Sequence, residues 1–176
     1  GGNTGLVGGG VPLDGELVLS LQRLHAVDPV DALAGQVTAQ AGATLGAVQR
    51  AASSAGLLFG VDLSARDTAT IGGMVATNAG GLKHIRHGSM RANVVGVEAV
   101  LADGSVVSHL GGLTKDNTGY DLAALLCGSE GTLAIVTAAR LRLVAPPRAL
   151  VTAVVGMPSV GAVVEAVATM RRHVTL

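Results

Sequence analysis

Aromatic residues and net charge are both nearly absent from this sequence. The 176 residues include no tryptophan, one phenylalanine and one tyrosine, and 12 acidic residues cancel 12 basic ones. Aromatic stacking and a positive electrostatic field are the means by which proteins hold single-stranded nucleic acid. The same neutrality provides nothing to attract an anionic membrane surface. We therefore expect no nucleic acid among the partners of this protein.

The sequence also argues against an internal disulfide and a membrane-spanning helix. Cys127 is the only cysteine, so no internal disulfide can form, which suits a reducing compartment and predicts a cytoplasmic location. No unbroken apolar run reaches the roughly 18 residues that a membrane-spanning helix requires, so we expect no transmembrane segment. The sequence starts at Gly1 and not at methionine. This leaves open a targeting sequence, and a peripheral-membrane or organellar location, for a longer protein.

What the chain does contain is a globular composition, with 49% hydrophobic residues and 26 glycines. β-branched runs at residues 16–21, 35–42 and 149–156 are typical of strands. Thr44 is a typical N-cap for a helix that ends at Gly56. Strands and helices are therefore mixed along the chain.

Two dipeptides indicate how these elements connect. Asp103 and Gly104 form a type I′ turn pair between two β-rich runs, which predicts an antiparallel hairpin. Antiparallel strands mixed with helices favour the α+β class. Pro146 and Pro147 end a strand and predict a domain boundary. A helix is expected after that boundary, at residues 159–173.

The densest glycine cluster is the opening stretch, residues 1–10, which we call the first loop. It reads GGNTGLVGGG and does not match the dinucleotide fingerprint. A Walker A loop is also excluded, because the chain has no Gly-Lys pair. Gly2, Gly5 and Gly8 recur at every third position, which lets backbone amides turn toward a phosphate group, and Thr4 adds a hydroxyl. From these residues alone, a phosphate cradle and a flexible surface loop both remain open.

Two further glycine-rich segments follow. Residues 61–81, the second loop, read VDLSARDTATIGGMVATNAGG. They predict a helix that begins after Thr70 and whose first backbone amides are unpaired. This helix would present a shallow face of small residues to a flat ligand. Residues 128–135, the third loop, read GSEGTLAI. A tight helix–strand packing seam is the alternative for the second loop, and a simple turn is the alternative for the third.

Five blocks of sequence carry a resemblance to a known family. They are GGNTGLVGG, LSARDTATIGGMVATNAGGL, GVEAVLADGSVV, KDNTGYDL and GSEGTLAIVT. In this order they resemble the PCMH-type FAD-binding domain of the vanillyl-alcohol oxidase family of FAD-linked oxidases. Within that family the chain is most similar to the D-2-hydroxyacid dehydrogenases, which act on 2-hydroxyglutarate, lactate or glycolate.

The resemblance implies a two-lobed α+β domain with FAD stretched between the lobes, and mixed and antiparallel sheets flanked by helices. It assigns residues 1–147 to this FAD-binding domain, without its N-terminal strand and helix. Residues 148–176 would begin a truncated substrate or cap domain. Catalytic residues, and a divalent metal, are expected in that cap domain, so none is assigned here and the fragment alone is expected to be inactive.

The resemblance also implies FAD contacts along all three loops. The first loop would wrap the pyrophosphate, the second would follow the ribityl chain and the isoalloxazine, and the third would lie near the adenosine end. The matching residues are Gly2, Asn3, Thr4, Gly5, Leu6, Val7, Asp62, Leu63, Ser64, Thr70, Gly72, Gly73, Thr77, Asn78, Gly80, Glu130, Gly131 and Ile135.

The implied reaction oxidises a D-2-hydroxy acid to the 2-oxo acid, with hydride transfer to flavin N5. The implied partners are a small 2-hydroxy acid and an electron acceptor, whether a quinone, an electron-transfer flavoprotein or a cytochrome. Two alternatives stay open. One is another oxidase or reductase on the same fold, such as an alcohol oxidase or a sugar-nucleotide reductase. The other is a flavin- or nucleotide-binding module without chemistry of its own.

Some positions depart from the family pattern. Val61 stands where a proline is common, Ala134 adds a methyl group where a glycine is usual, and His87 stands where a tyrosine is frequent. The covalent members of the family attach FAD through a histidine in or near the first loop. Since the first loop has no histidine, we expect dissociable FAD.

A basic cluster follows the second loop. Lys83, His84, Arg86, His87 and Arg91 lie within nine residues. They either form a positive rim for a reduced flavin or a carboxylate substrate, with His87 as the best candidate, or belong to a solvated loop. His84 and His87 have no third ligand nearby, so we predict no metal site in this chain.

Overall fold

The computed structural model describes residues 1–173 and divides the chain into two compact units, Gly1–Ala145 and one that begins at Pro146. The strands are β1 Gln36–Gln40, β2 Leu58–Phe59, β3 Val94–Val100, β4 Val106–His109 and β5 Ile135–Val144. The helices are α1 Leu45–Ser54, α2 Ile71–Ala76, α3 His84–His87, α4 Met90–Asn93, α5 Leu122–Leu126 and α6 Val160–His173.

The first unit is built on an antiparallel sheet in the order β1-β5-β3-β4. β5 is its centre, because it pairs with β1 on one side and with β3 on the other. The short β2 pairs with the end of β5, where Leu58 stands opposite Val144. Helices mixed with an antiparallel sheet confirm the predicted α+β class.

An apolar cluster joins α1, α2, α4 and α5 to the sheet. Leu45 from α1, Ile71 from α2, Phe59 from β2, Val97 from β3 and Leu141 from β5 are almost completely buried in it. Burying one such side chain contributes about 1.5–3 kcal/mol. The second loop therefore begins its helix at a residue, Ile71, that is part of this core.

The helix predicted after Thr44 is confirmed as α1. The Thr44 hydroxyl accepts a hydrogen bond from the Ala47 amide at 3.2 Å, which satisfies one of the free donors at the helix start. Leu45, Val48 and Ala52 form its buried stripe at helical spacing. The strand predicted at residues 35–42 is likewise confirmed as β1.

The predicted hairpin is present, but its turn type was predicted incorrectly. Val100 of β3 pairs with Val106 of β4. Of the turn pair, only Gly104 has a positive φ, of 85°, whereas a type I′ turn needs positive φ at both central residues. The Gly104 amide donates to the Leu101 carbonyl at 3.0 Å. This is the pattern of a type I turn followed by a left-handed glycine, and Asp103 keeps ordinary backbone angles.

Two of the predicted strands do not form. Residues 16–21 and 149–156 lie outside every strand, and their apolar side chains other than Leu21 are exposed, Leu17 by 100% and Val154 by 99%. β-branched composition favours a strand only where a partner strand and a packing face are supplied. Neither range has a partner within the described residues.

The unit that begins at Pro146 consists of an irregular segment followed by α6. The Ser159 hydroxyl accepts a hydrogen bond from the Ala162 amide at 3.2 Å, so the predicted helix at 159–173 and its cap are confirmed. Pro146 coincides with the predicted boundary. The assignment of the two parts as an FAD-binding and a cap domain stays a prediction.

Candidate functional site

A groove of about 590 Å³ runs along the first unit, lined by parts of all three glycine-rich loops. Binding sites for small ligands and cofactors occupy roughly 300–1,000 Å³. Its lining is mostly glycine, alanine, threonine and apolar side chains. The structure therefore brings the three segments together along one groove.

The third loop is fastened to the end of α2. The amides of Gly128 and Glu130 donate to the carbonyls of Val75 and Ala76 at 3.0 and 2.9 Å. Carbonyls at a helix C-terminus have no partner within the helix. The Glu130 amide satisfies the Ala76 carbonyl, whereas the Val75 carbonyl accepts the Asn78 amide at 3.1 Å as well as that of Gly128. Glu130 and Gly131 have φ values of 53° and 80°, which turn the chain along the groove. We call α2 and the third loop together the fixed wall.

The start of α2 differs from the bare helix end that the sequence predicted. The amides of Ile71 and Gly72 donate to the carbonyls of Ala43 and Ala41 at 2.9 and 2.8 Å, so they are not available to a ligand. A Cβ on Gly72 would stand 2.6 Å from the Cβ of Ala41. Gly72 is therefore required by close packing of the protein itself.

The first loop has almost no hydrogen bonds to the rest of the protein. Within residues 1–173, no amide of residues 2–7 donates to a protein acceptor. A Cβ on Gly5 would meet no protein atom within 4 Å, whereas one on Gly2 would collide with the Thr68 carbonyl. Gly2 thus anchors the loop, and Gly5 leaves space beside an unused amide. We call residues 2–7 the open wall.

Most of the residues predicted to contact FAD line this groove. They are Gly2, Asn3, Thr4, Gly5, Val7, Leu63, Thr70, Gly72, Gly73, Thr77, Glu130, Gly131 and Ile135. The predicted residues outside the lining are Leu6, Asp62, Ser64, Asn78 and Gly80.

Asp62 is occupied by other protein groups. Its carboxylate contacts Arg66 at 3.1 Å and Lys83 at 3.5 Å and accepts a hydrogen bond from Gln49 at 3.1 Å. Its backbone carbonyl accepts the Leu82 amide at 2.7 Å. The side chain is nearly buried, so these partners offset the cost of burying its charge. The contacts fasten the two ends of the second loop to each other.

The other outlying residues lie around the groove. Leu6 and Ser64 are exposed to solvent. Gly80 faces the ring of His84, since a Cβ at this position would stand 2.9 Å from its Nδ1. The Asn78 side chain accepts the backbone amide of Arg91 at 2.9 Å and so points to α4.

The groove also has lining residues outside the predicted FAD contacts. Ala76 and Ala79 belong to the face of small residues predicted for the second loop, and Gly1, Gly9 and Gly10 belong to the first loop. The lining residues that the sequence did not indicate are Leu21, Ala69, Met74, Ala134 and Val136. The buried apolar members of this set carry the same sequence signal as ordinary core residues. Ala134 was noted only because it replaces a usual glycine, and its methyl group lies in the groove lining.

The basic cluster lies outside the groove lining. Lys83 pairs with Asp62, and the Arg91 guanidinium donates to the Cys127 carbonyl. Burial, followed by the charges of Arg86 and Lys83, lowers the pKa of His87 below its ordinary 6.5. His87 is therefore neutral at pH 7 and carries no fixed positive charge there.

Residues 1–173 contain neither a cluster of metal ligands nor a helix that could cross a membrane. No group of three or more His, Cys, Asp or Glu side chains lies close enough to hold a metal ion. No helix among these residues combines the length and apolar character needed to cross a membrane.

The groove fits a long ligand with negatively charged oxygens in its middle. The unused amides of the open wall are uncharged donors that can surround a phosphate group, and the glycines keep the backbone close to it. The apolar lining offers a flat, water-poor surface at the fixed wall. Among the lining residues that the structure describes, Glu130 alone has an acidic or basic side chain. An FAD molecule, with a pyrophosphate between two ring systems, has these features.

Comparison with known proteins points to the same cofactor. A family model described as FAD binding domain matches residues 1–109. The mitochondrial D-2-hydroxyglutarate dehydrogenase of Bos taurus is 43% identical over 171 residues, which cover 97% of this chain and 31% of that protein. A putative mitochondrial D-lactate dehydrogenase of Schizosaccharomyces pombe is 40% identical over 177 residues, which cover 99% of this chain and 33% of that protein.

The solved structures show the same fold. The structure of an alkyldihydroxyacetonephosphate synthase superimposes with a TM-score of 0.71 at 25% identity, and covers 85% of this chain and 29% of that one. The chain thus spans about a third of the length of the curated relatives that it matches.

Proposed function

The chain belongs to the FAD binding domain family, and from that premise we propose that it is the FAD-binding portion of a flavin-dependent oxidoreductase that converts a D-2-hydroxy acid to the 2-oxo acid. The names of its curated relatives support this reaction, since they are dehydrogenases of D-2-hydroxyglutarate and of D-lactate. The substrate would be a small 2-hydroxy acid of this kind, and a second partner would accept the electrons.

One structural observation carries the proposal. The amides of residues 2–7 have no protein acceptor within the described chain, and most of these residues line a groove whose opposite side is fixed. Amides that donate to nothing in the protein are free to donate to phosphate oxygens. In our proposal Gly2, Asn3, Thr4 and Gly5 hold the FAD pyrophosphate, and no basic side chain is needed.

The remaining lining would hold the rest of the cofactor. Thr70 and Thr77 present small side chains at the two ends of α2, and Gly73 between them presents none, so a flat ring system has room there. Met74 and Val136 provide an apolar surface that excludes water. No histidine or cysteine is among the lining residues, which supports dissociable FAD.

When bound, FAD would supply a two-electron acceptor for the hydrogen that leaves the α-carbon of the hydroxy acid. The described residues bind and orient this group. Glu130 is the only titratable side chain in the lining, and we assign it no proton-transfer role. We propose that the base, the carboxylate-binding groups and any divalent metal belong to a cap domain of a full-length protein, as the resemblance implies.

The location of the protein is also a proposal. Both named curated relatives are described as mitochondrial, whereas the single cysteine predicted the cytoplasm. We propose that a full-length protein works in the aqueous phase of one of these compartments. Fractionation of source cells with an antibody against residues 1–173 separates the two locations.

The proposed function is tested with the full-length gene product and a matched pair of glycine variants. A Cβ would meet nothing within 4 Å at Gly5 or at Gly111, and neither has a left-handed φ, but only Gly5 lines the groove. Gly5→Val should leave the protein folded and without yellow colour. Gly111→Val should retain the flavin spectrum of the unmodified protein.

Anaerobic reduction then identifies the reaction. We expect the flavin absorbance of the full-length protein to bleach when the protein is mixed with D-2-hydroxyglutarate or D-lactate in the absence of oxygen. If the protein binds flavin but no 2-hydroxy acid bleaches it, our proposal would give way to another reaction on this fold, as the synthase neighbour suggests. Protein that binds no flavin at all, from any purification, would overturn the cofactor assignment as well.

A further inference from the structure

We propose that Asn78 and Arg91 are positioning residues, which hold the third loop against α2 and so set the width of the groove without touching the cofactor. This inference rests on the proposed FAD-binding function. The sequence pattern marked Asn78 as a direct FAD contact and Arg91 as part of a basic rim. The structure points to a different role for each residue.

Asn78 turns away from the groove. Its neighbours Thr77 and Ala79 both line the groove, but Asn78 does not. Its φ of 50° is left-handed, a conformation that asparagine adopts more readily than most residues. The turn directs its side-chain oxygen to the backbone amide of Arg91, at 2.9 Å. The second loop is thereby joined to the start of α4.

Arg91 continues this connection to the third loop. Its guanidinium donates to the carbonyl of Cys127, the residue directly before that loop. A Cβ on Gly128 would stand 3.3 Å from the Arg91 Nη2 and 3.4 Å from the Asn78 Cβ. Asn78, Arg91 and Gly128 therefore meet at one point.

The third loop is held from two directions as a result. Val75 and Ala76 of α2 accept its Gly128 and Glu130 amides, and Arg91 binds the carbonyl that precedes it. Glu130 has a φ of 53°, which a residue with a side chain keeps only where its surroundings enforce it. We infer that the contacts of Asn78 and Arg91 provide part of this enforcement.

The consequence for the cofactor follows from the position of the loop. Glu130 and Gly131 line the groove, and a Cβ on Gly9 of the first loop would stand 3.8 Å from the Glu130 carboxylate. A displaced third loop therefore changes the distance across the groove. Loss of Arg91 or Asn78 should weaken FAD binding although neither side chain reaches the groove.

The first experiment measures FAD affinity by flavin fluorescence with the full-length protein. Hydrogen bonds to charged groups contribute enough that Arg91→Ala should weaken FAD binding by about tenfold to a hundredfold. Arg91→Lys, which keeps one charged donor, should recover part of the loss. Arg50→Ala is the matched control, since Arg50 is 72% exposed and its ion pair within residues 1–173 is with Asp67, and it should bind FAD normally.

A pair of substitutions at Asn78 separates positioning from direct contact. Both aspartate and glycine tolerate the left-handed φ, but only aspartate keeps an oxygen that accepts the Arg91 amide. We expect Asn78→Asp to bind FAD nearly as well as the unmodified protein. Asn78→Gly should be about twofold to tenfold weaker, the range for one neutral hydrogen bond. Equal losses in both variants would show that the side-chain NH₂ binds FAD and would overturn the inference for Asn78.

Hydrogen exchange of the FAD-free protein provides a readout that simple destabilisation would not give. In Arg91→Ala, the amides of Gly128 and Glu130 should exchange at least about tenfold faster, while the Leu141 amide in the central strand keeps its rate. Faster exchange at all three amides would mean general destabilisation and would overturn the inference. If the unmodified protein binds FAD and Arg91→Ala binds it equally well, the positioning role fails and the proposed function stands. If the unmodified protein binds no FAD, the proposed function itself fails.

Discussion

The open wall and the fixed wall of the groove both contain glycines but are held by different forces. The fixed wall is held by the core and by bonds between its own two parts: Ile71 lies in the core, and the third loop donates amides to Val75 and Ala76 of α2. The amides of residues 2–7, by contrast, donate to no protein acceptor within the described chain, and these residues are exposed.

The difference shows that glycine has two physical roles in this site. Gly72 is required by the protein, because a side chain would collide with Ala41. Gly5 has no such neighbour, so the protein itself has room for a side chain at this position. A glycine is needed there only if a ligand occupies the space beside it. Folding therefore forms one side of the groove, and we propose that the cofactor orders the other side.

The largest expected effect comes from removing the core support of the fixed wall. Ile71→Ala truncates a fully buried side chain and should lower the free energy of unfolding by about 2–5 kcal/mol. Leu6→Ala truncates a fully exposed side chain of the open wall and should change it by less than about 0.5 kcal/mol. Urea denaturation of the FAD-free protein measures both. Similar losses in the two variants would show that the open wall is packed as firmly as the fixed one.

A smaller effect is expected from adding a methyl group to each wall. Gly72→Ala places a Cβ 2.6 Å from the Ala41 Cβ, and such overpacking costs about 1–3 kcal/mol. Gly5→Ala meets no protein atom and should leave the stability of the FAD-free protein unchanged to within about 0.5 kcal/mol. Its effect should appear only in FAD affinity, measured by fluorescence titration. A stability loss at Gly5 without any loss of affinity would contradict the distinction between the two glycines.

The two threonines that precede helices sharpen the comparison further. Thr44 caps α1 with its hydroxyl, whereas Thr70, at the start of α2, makes no capping bond and lines the groove. Thr44→Ala should lower stability by about 1 kcal/mol and leave FAD affinity unchanged. Thr70→Ala should leave stability unchanged and weaken FAD binding by about twofold to tenfold, if its hydroxyl binds the cofactor as proposed. The opposite pattern would assign Thr70 to the scaffold.

The smallest effect at neutral pH concerns the thiol next to the third loop. Burial raises the pKa of Cys127 from its ordinary 9.0 to about 11. Below about pH 8 the thiol is protonated in both the folded and the unfolded chain, so it causes no pH dependence there. Between about pH 9 and 11 only the unfolded chain loses the proton, so stability should fall as the pH rises. Denaturation from pH 8 to 10.5 should show a shallower decline for Cys127→Ala, and equal slopes would mean that the thiol is open to solvent.

The fold could be predicted where local chemistry decides it. Thr44 and the apolar spacing after it sufficed for α1. Residues 16–21 resembled a strand by composition, but a strand needs a partner, and composition does not say whether one is present. The hairpin was predicted from Asp103 and Gly104, yet its turn type depended on φ at Asp103, which the residue type leaves open.

The site could be predicted to the extent that its chemistry lies in glycine and threonine. Gly5 and Thr70 belong to recognisable motifs, and both line the groove. Met74 and Val136 could not be identified, because an apolar residue that lines a groove has the same sequence pattern as one in the core. The side-chain direction of Asn78 also lay beyond the sequence, since it depends on a left-handed φ and on the position of Arg91.

Hydrogen exchange with and without FAD tests the central claim most directly. We expect the amides of Gly128 and Glu130 to be protected in both states, because they already donate to α2. The amides of residues 2–7 should exchange rapidly in the FAD-free protein and become protected when FAD binds. Protection of residues 2–7 without FAD, or rapid exchange with FAD bound, would contradict the account of a groove with one wall formed by folding and the other by the cofactor.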